Sequence, residues 1–314
     1  MNNKDLKKVV ESALDKQKVP HVKLKKIGAS KVDVASLTEP SKETRQEYWG
    51  KGLTYCAIIL IIILVASIIG FIGFHGLETF TKDHVNVFQF LTSSDWDPGE
   101  GKNHVGAAAM IVTSFSVTLL AALVATPFAI AVALFMTEYS SKKGARFLQS
   151  VIELLVGIPS VVYGFLGLTV IVPFIRNIFG GTGFGILSAT LVLFVMVLPT
   201  ITSLTVDSLK AVPSDYRKAS LALGATKWQT IYKVILRVAS PRIMTAVIFG
   251  MARAFGEALA VQMVIGNAVL MPANLVSPSA TLTSQLTSQM GNTVMGTLPN
   301  NALWSLALLL LIMS

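Results

Sequence analysis

The sequence predicts an all-α membrane protein with six transmembrane helices. Of its 314 residues, 53% are hydrophobic and only 14% are charged, whereas about a quarter are charged in soluble domains. Apolar runs recur along the chain at lengths that cross a hydrocarbon core of about 30 Å as helices. Because lipid cannot satisfy backbone polar groups, such runs indicate helices rather than open sheets.

The predicted spans follow these apolar runs. The first contains no charged residue, and Pro127 predicts a kink in the second. The last run is too short to cross a bilayer, so we expect the sequence to stop within its sixth helix; an interfacial run is the alternative. The six spans cover about residues 52–74, 105–137, 147–175, 184–206, 242–267 and 301–314.

The distribution of positive charge predicts the orientation. Segments 1–51, 138–146 and 207–242 carry 12, 3 and 7 Lys or Arg residues, whereas the opposite side carries three. The positive-inside rule therefore predicts that both termini lie in the cytoplasm. Residues 1–51 are expected to form a cytoplasmic tail held near anionic lipid by its lysines, with a regulatory partner as the alternative. The first apolar run begins too late for a cleaved signal peptide.

The connection 207–241 is too long and too organised for a simple turn. Ser214 is predicted to cap a helix over Asp215–Leu223, which Gly224 would end as a C′ glycine. Thr226 would then open a second helix, with Gln229 completing a capping box. This helix–glycine–helix pattern predicts a docking surface for a cytoplasmic partner; an amphipathic hairpin lying on the membrane is the alternative.

Both predicted helices of this connection are amphipathic. The first places Ala219, Ala222 and Leu223 on its apolar side. The second has a shared apolar face at helical spacing, and Pro241 is expected to mark the turn into the fifth span. That face consists of Trp228, Ile231, Ile235 and Val238.

Two opposite charges lie within the fifth predicted span. Arg253 and Glu257 are four residues apart, which places them on one helix face, about 16 and 22 Å along the axis from Arg242. An intramembrane charge costs several kcal/mol unless it is paired or hydrated. We expect Arg253 to line an anion pathway, with Glu257 orienting or masking it; a buried structural ion pair is the alternative. Glu153, in the third span, is expected to face the inner vestibule or pair with a basic loop residue.

Sequence motifs give no sign of catalysis or cofactor binding by this chain. The sequence lacks the G-x-x-x-x-G-K-[ST] phosphate loop, so ATP hydrolysis would need another polypeptide. The histidines are scattered without metal-ligand spacing, and the single cysteine, Cys56, cannot form an intrachain disulfide.

The segment KASLALGATKWQTIYKVIL resembles the EAA loop of ABC importer permeases, which docks on the nucleotide-binding subunit. The match covers Ala219, Leu223, Gly224, Ala225 and the apolar run to Leu236. Lys218 replaces the usual Glu, and Arg237 replaces a frequent Pro. The resemblance implies that the ATPase-docking residues are Ser214, Asp215, Lys218, Ala219, Leu223, Gly224, Ala225 and Thr226.

A second resemblance covers about residues 85–270. ARAFGEALAV followed by IGN is similar to the fifth span of the phosphate-specific permeases, the PstC/PstA family. FLTSSDWDP, VATPFAIAVALFMTEY and LLVGIPSVVYGFLGL look like the PstC-type subunit. This resemblance implies a type I (MetI-like) ABC importer permease fold over residues 52–314, with Arg253 and Glu257 in the substrate pathway.

The resemblance also implies a function and an assembly. The chain would be the permease subunit of an ATP-driven inorganic phosphate importer in a bacterial or archaeal cell membrane. Its partners would be a PstA-type permease, two copies of a PstB-type ATPase that uses ATP and Mg²⁺, a PstS-type extracytoplasmic binding protein and membrane lipid, with no nucleic acid. The alternatives are transport of molybdate or sulfate, an ion-gradient-driven secondary transporter, and a membrane sensor that signals through its tail.

Overall fold

The computed structural model describes the backbone of residues 42–313, so most of the predicted tail lies outside the described residues. Within this range the chain is helical, with two isolated β-bridges in its loops. The helices are α1 (Lys42–Thr81), α2 (Val87–Thr92), α3 (Ala108–Leu134), α4 (Lys142–Gly157), α5 (Ser160–Leu166), α6 (Val172–Phe179), α7 (Ile186–Lys210), α8 (Ser214–Ala222), α9 (Lys227–Thr230), α10 (Leu236–Phe255), α11 (Leu259–Ile265), α12 (Leu282–Gln289) and α13 (Leu298–Met313).

Five helical stretches are long and apolar enough to cross a membrane, and α13 is a shorter apolar helix. The prediction of an all-α multi-pass membrane protein is therefore confirmed. Several elements join end to end through π-helical turns, so one span can contain two named helices. The five stretches are Glu47–Thr81, Ala108–Tyr139, Ser160–Phe179, Ile186–Lys210 and Lys227–Phe255.

The chain divides into two compact units, residues 1–64 and 65–314. In the first unit, the described side chains belong to α1, and those from Leu53 to Leu64 are exposed and mostly large and apolar. Such a surface suits contact with lipid tails, because every backbone bond is satisfied within the helix.

In the second unit, α3 packs closely on α7. The contact uses small residues four apart on α3, namely Ala121, Ala125, Ala129 and Ala133, each 0% exposed. Small side chains allow helix backbones to approach in a membrane, where dispersion rather than the hydrophobic effect drives association. Gly250 of α10 continues this pattern, because a Cβ atom there would lie 2.6 Å from Ile201 of α7.

The third span differs from the prediction of one run over residues 147–175. Ile158 is extended (φ −70°, ψ 128°), so α4 ends at Gly157 and the membrane-crossing stretch begins at Ser160. The physical reason is Pro159, which has no N–H and disfavours the helical conformation of the residue before it. Helix α4 is a separate amphipathic helix, capped by the Ser141 hydroxyl.

The fifth span also differs from the predicted range of 242–267. The helix is continuous from Lys227 to Phe255 and contains Pro241, which therefore marks no turn. Proline frees the carbonyl four residues earlier, that of Arg237. The Ser240 hydroxyl donates to this carbonyl at 3.0 Å, which satisfies it and allows the helix to continue.

Residues 268–300, predicted to be a loop, contain the buried helix α12. The Thr281 hydroxyl accepts from the Ser284 N–H, and the Ser284 hydroxyl interacts with the Thr281 N–H, forming a capping box. Leu282, the first helical residue, is 0% exposed, and its N–H donates to Ser114 of α3. A short polar sequence is thus helical because its cap and its burial both stabilise it.

Candidate functional site

The first helix of the 207–241 connection starts one residue earlier than predicted. Helix α8 covers Ser214–Ala222, so Ser214 is its first residue and its side chain makes no capping hydrogen bond. The C-terminal prediction is confirmed, because Gly224 has φ +83°. The Gly224 and Ala225 N–H groups donate to Leu221 and Ser220, the two bonds of a Schellman motif.

The predicted capping box at Thr226 and Gln229 is confirmed. The predicted apolar face of this second helix is only partly correct. Ile231 and Ile235 are 1% and 0% exposed, but Trp228 is 60% exposed and stacks on Tyr232. Trp228 is four residues before Tyr232, so the two aromatic rings share a face of the helix that the described part of the chain leaves uncovered.

The hairpin of α8 and α9 presents an apolar surface that other residues of the described chain do not bury. We call it the docking face. Leu223, from the predicted apolar side of α8, is 89% exposed, and helix α8 contains no buried residue. Large exposed apolar side chains in the connection between two spans make this hairpin a candidate partner surface. The docking face consists of Tyr216, Leu221, Leu223, Trp228 and Tyr232.

An ion pair that the sequence did not predict holds α8 in place. The Nη2 and Nε groups of Arg217 donate to one oxygen of Glu138 at 2.7 and 3.2 Å. Glu138 lies in the π-helical turn that ends the second span, and its side chain is only 10% exposed. Arg217 also donates to the Val212 and Leu209 carbonyls. The pair therefore fixes α8 to two membrane-crossing helices, α3 and α7.

Further contacts join α9 to the same point. The Lys227 ammonium donates to the Glu138 carbonyl and lies 4.5 Å from the ring centre of Tyr139. The one available sequence signal was Glu138 itself, the single charge in the run VATPFAIAVALFMTEY. By contrast, Lys218 contacts Asp215 at 3.4 Å with both side chains exposed, so this pair leaves both charges accessible.

Arg253 lies near the end of α10 and is half-buried. Its Nη1 group donates to the Thr200 hydroxyl of α7 at 2.6 Å. None of the ion pairs in the described part of the chain includes Arg253. Its guanidinium therefore keeps several N–H donors free, inside a membrane-crossing helix, with a neutral partner.

Glu257 does not share a helix face with Arg253, so that prediction is wrong. Helix α10 ends at Phe255, and Glu257 lies in the break before α11. The Glu257 carboxylate accepts from the Ala260 N–H at 3.3 Å, and its carbonyl accepts from the Thr283 hydroxyl at 2.9 Å. A carboxylate near a helix N-terminus interacts favourably with the helix dipole, which gives Glu257 a local partner in place of Arg253.

Two other predictions concern polar groups elsewhere. Glu153 is exposed on α4, where it accepts from Gln149 at 3.0 Å, so it belongs to the amphipathic helix rather than to the third span. Among the side chains that the structure describes, those of residues 47–313, no three His, Cys, Asp or Glu lie close enough together to hold a metal ion.

Known proteins resemble this chain over most of its length. Residues 125–314 match the family described as "Binding-protein-dependent transport system inner membrane component". The chain is 51% identical to the "Probable ABC transporter permease protein YqgH" of Bacillus subtilis, over 87% of this chain and 90% of that protein. It is 32% identical to the "Phosphate transport system permease protein PstC" of Mesorhizobium japonicum, over 83% and 84%.

A solved structure shares the fold. The crystal structure of a bacterial alginate ABC transporter, in complex with an alginate pentasaccharide-bound periplasmic protein, aligns with a TM-score of 0.59. The alignment covers 86% of this chain and 93% of that chain at 14% identity. The resemblance inferred from sequence motifs is confirmed, and the chain belongs to the family of binding-protein-dependent transport system inner membrane components, as a multi-pass permease of an ABC importer.

Proposed function

We propose that this chain is the permease subunit of an ATP-driven importer of inorganic phosphate. It works in a bacterial or archaeal cell membrane with its N-terminus in the cytoplasm. Its partners are a second, similar permease chain, two copies of an ATPase subunit and an extracytoplasmic phosphate-binding protein. The chain binds no cofactor of its own, and the ATPase subunits use ATP and Mg²⁺.

The observation that carries the proposal is the environment of Arg253. Its guanidinium is half-buried in a membrane-crossing helix and has a hydroxyl, not a carboxylate, as its hydrogen-bond partner. A planar guanidinium with free N–H groups matches the oxygens of phosphate better than a lysine ammonium does. Thr200 fixes the orientation of the guanidinium without neutralising it, so the remaining donors can bind a passing anion.

The helix that carries Arg253 also carries part of the docking face. Lys227–Phe255 is one continuous helical stretch of 29 residues, about 43 Å long. Trp228 and Arg253 therefore lie at opposite ends of one continuous helical stretch, which contains a π-helical turn at Ile231–Ile235 and Pro241. A movement of the docked ATPase would be transmitted along this stretch to Arg253, which couples ATP binding to the anion pathway.

Two further observations support the choice of phosphate and of ATP as the energy source. Several similar proteins are named phosphate transport system permeases, including those of Mesorhizobium japonicum and Methanocaldococcus jannaschii. The uncovered docking face suits an ATPase subunit, since the chain itself lacks a phosphate loop.

The test is uptake of radiolabelled phosphate by proteoliposomes that contain the complete complex. Arg253→Gln should reduce uptake at least tenfold while the complex still assembles on a sizing column. Arg176→Gln is the matched control, because Arg176 is exposed and bonds the Thr182 carbonyl in an outer loop. Normal uptake by Arg253→Gln would remove Arg253 from the pathway.

The same preparation separates the alternatives. Uptake of sulfate or molybdate, with none of phosphate, would assign a different oxyanion. Uptake that persists in proteoliposomes without the ATPase subunit would indicate a gradient-driven secondary transporter. Intact uptake with lost signalling after deletion of residues 1–45 would instead favour a sensory role for the tail.

A further inference from the structure

A cavity of about 400 Å³ opens beside the loop that follows α2. Its volume falls within the range of roughly 300–1,000 Å³ that is typical of ligand sites. Trp96 and Asp97 contribute one wall from this loop, and Gln285 and Gln289 contribute a second wall from α12. By the predicted orientation this cavity lies on the extracytoplasmic side, away from the docking face.

The first wall is held in place by hydrogen bonds. Trp96 pairs with Val105 in an antiparallel β-bridge, and the Asp97 N–H donates to the His104 carbonyl at 2.7 Å. His104 also pairs with the carboxylate of Asp95. The Asp97 carboxylate accepts from the Gly99 N–H at 3.2 Å through one oxygen, which orients the side chain and leaves its second oxygen free.

The second wall contributes a mostly buried side chain whose amide reaches the cavity. Gln285 is only 5% exposed and hydrogen-bonds no other residue that the structure describes, but its amide atoms are not enclosed by protein. The amide is therefore open to the cavity and available to a ligand there. Gln289 lies one helical turn further along α12 and lines the same cavity, so two amide residues and Asp97 share one cavity.

The chemistry of the lining selects a cation. Asp97 is the one charged residue among the described residues that line the cavity. Residues 75–104 carry five acidic residues and two lysines, and residues 268–300 carry no Lys or Arg. A carboxylate, amide oxygens and the face of an indole ring together suit a guanidinium or ammonium group, and they disfavour phosphate itself.

The borders of the cavity indicate that a protein supplies this cation. Leu270 and Met271 follow the lining residue Val269, and Val294 and Met295 follow the lining residue Thr293. These four side chains are 50–73% exposed. A small-molecule site needs no exposed apolar border, whereas protein interfaces combine apolar contacts, often with Met, and a few fixed polar groups.

We propose that this cavity receives a Lys or Arg side chain of the extracytoplasmic binding protein when that protein docks on the permease. This inference rests on the proposed function, because it assigns a residue-level contact to one of the proposed partners. The cavity is then a binding site for a cationic side chain, and it is separate from the pathway through which the anion crosses the membrane. It also explains how an anion importer can carry an acidic outer surface: phosphate arrives bound to its carrier rather than from bulk solution.

The experiment measures the affinity of the phosphate-binding protein of the same transport system for the complete complex in nanodiscs. Asp97→Asn removes the charge but keeps an oxygen that can accept from the Gly99 N–H. We expect it to weaken binding about tenfold. Glu100→Gln is the matched control, an exposed acid of the same loop that does not line the cavity, and it should change affinity less than twofold.

A second variant protects the test against indirect effects. Gln285→Leu, which cannot hydrogen-bond a cation, should also weaken binding, and low salt should strengthen wild-type binding more than Asp97→Asn binding. Equal affinities for the wild type and Asp97→Asn would overturn the inference and leave the proposed function intact. Binding of free arginine amide at the cavity, with unchanged affinity for the binding protein, would also overturn it. Absence of any binding to the wild type would overturn both proposals.

Discussion

The ion pair between Glu138 and Arg217 is expected to position the docking helix, and replacing Glu138 by Gln tests this. The side chains of Glu138 and Arg217 are 10% and 27% exposed, so the pair is neither fully buried nor freely hydrated. Breaking a buried pair costs about 3–5 kcal/mol, and an exposed pair contributes about 0–1 kcal/mol. Because the exposure of this pair lies between those two cases, we expect Glu138→Gln to cost about 2 kcal/mol.

That cost has a measurable consequence for docking. If it reduces the population of correctly placed α8, the apparent affinity for the ATPase subunit falls by the same factor. A loss of 2 kcal/mol corresponds to about thirtyfold, which is the upper limit of the expected change. The assay is biolayer interferometry of the purified ATPase subunit on immobilised permease complex in nanodiscs, with wild type and variant compared at one ionic strength.

The chain offers a control outside the docking residues. Lys51 also contacts a carboxylate, that of Glu47 at 3.0 Å, but the two side chains are 61% and 65% exposed. Lys51→Gln removes a charge without removing a partly buried ion pair, and we expect less than a threefold change. If Glu138→Gln and Lys51→Gln weaken binding equally, the argument from burial is refuted. Partial recovery in the charge-swapped Glu138→Arg/Arg217→Glu double variant would support it.

Three further outcomes follow from local geometry. Gly224→Val should weaken ATPase copurification, because Gly224 has φ +83° and a non-glycine residue in this conformation costs about 1–2 kcal/mol. Nothing lies within 4 Å of the added Cβ, so a steric clash would not explain the loss. Gly76→Ala should lower the thermal unfolding temperature in detergent, because the added Cβ would lie 2.6 Å from Leu308. The control is Gly73→Ala, whose added Cβ meets nothing within 4 Å. Equal unfolding temperatures for the two variants would contradict close packing of α1 on α13. The hydrogen bond that His104 donates to the Asp95 carboxylate, and then the charge of that carboxylate, raise the pKa of His104 above 6.5. The pair's stabilisation of the loop is therefore fully present below pH 6.5 and is lost as pH rises through the raised pKa. Hydrogen exchange of residues 95–106 should differ between wild type and His104→Gln at pH 5.5 but not at pH 9, and a difference that persists at pH 9 would contradict this assignment.

Features that depend on nearby residues were predicted well. The apolar runs predicted membrane-crossing helices because helical hydrogen bonds close within four residues and lipid supplies no alternative. The end of α8 at a C′ glycine, Gly224, and the capping box of Thr226 and Gln229 were likewise confirmed. Both depend on backbone conformation and on partners within a few positions, so the amino-acid sequence contains the necessary information.

The prolines show where local information ends. Pro159 separates α4 from the third span, whereas Pro241 lies inside a continuous helix. In both cases the carbonyl four residues before the proline accepts from a hydroxyl, that of Tyr163 for Leu155 and that of Ser240 for Arg237, so the proline and its freed carbonyl do not by themselves determine whether the helix continues. Span boundaries at both prolines were therefore wrong in the sequence-based prediction, although the number of apolar segments was not affected.

The contacts that assemble the candidate site were decided by tertiary structure alone. Arg217 and Glu138 are 79 positions apart, and Arg253 and Thr200 are 53 positions apart. The sequence by itself identified Arg253 as a costly intramembrane charge and proposed a partner four residues away, at Glu257. That partner was wrong because α10 ends at Phe255. A charge in a membrane must be satisfied by whichever polar group packing brings within hydrogen-bond distance, and sequence spacing does not determine which group that is.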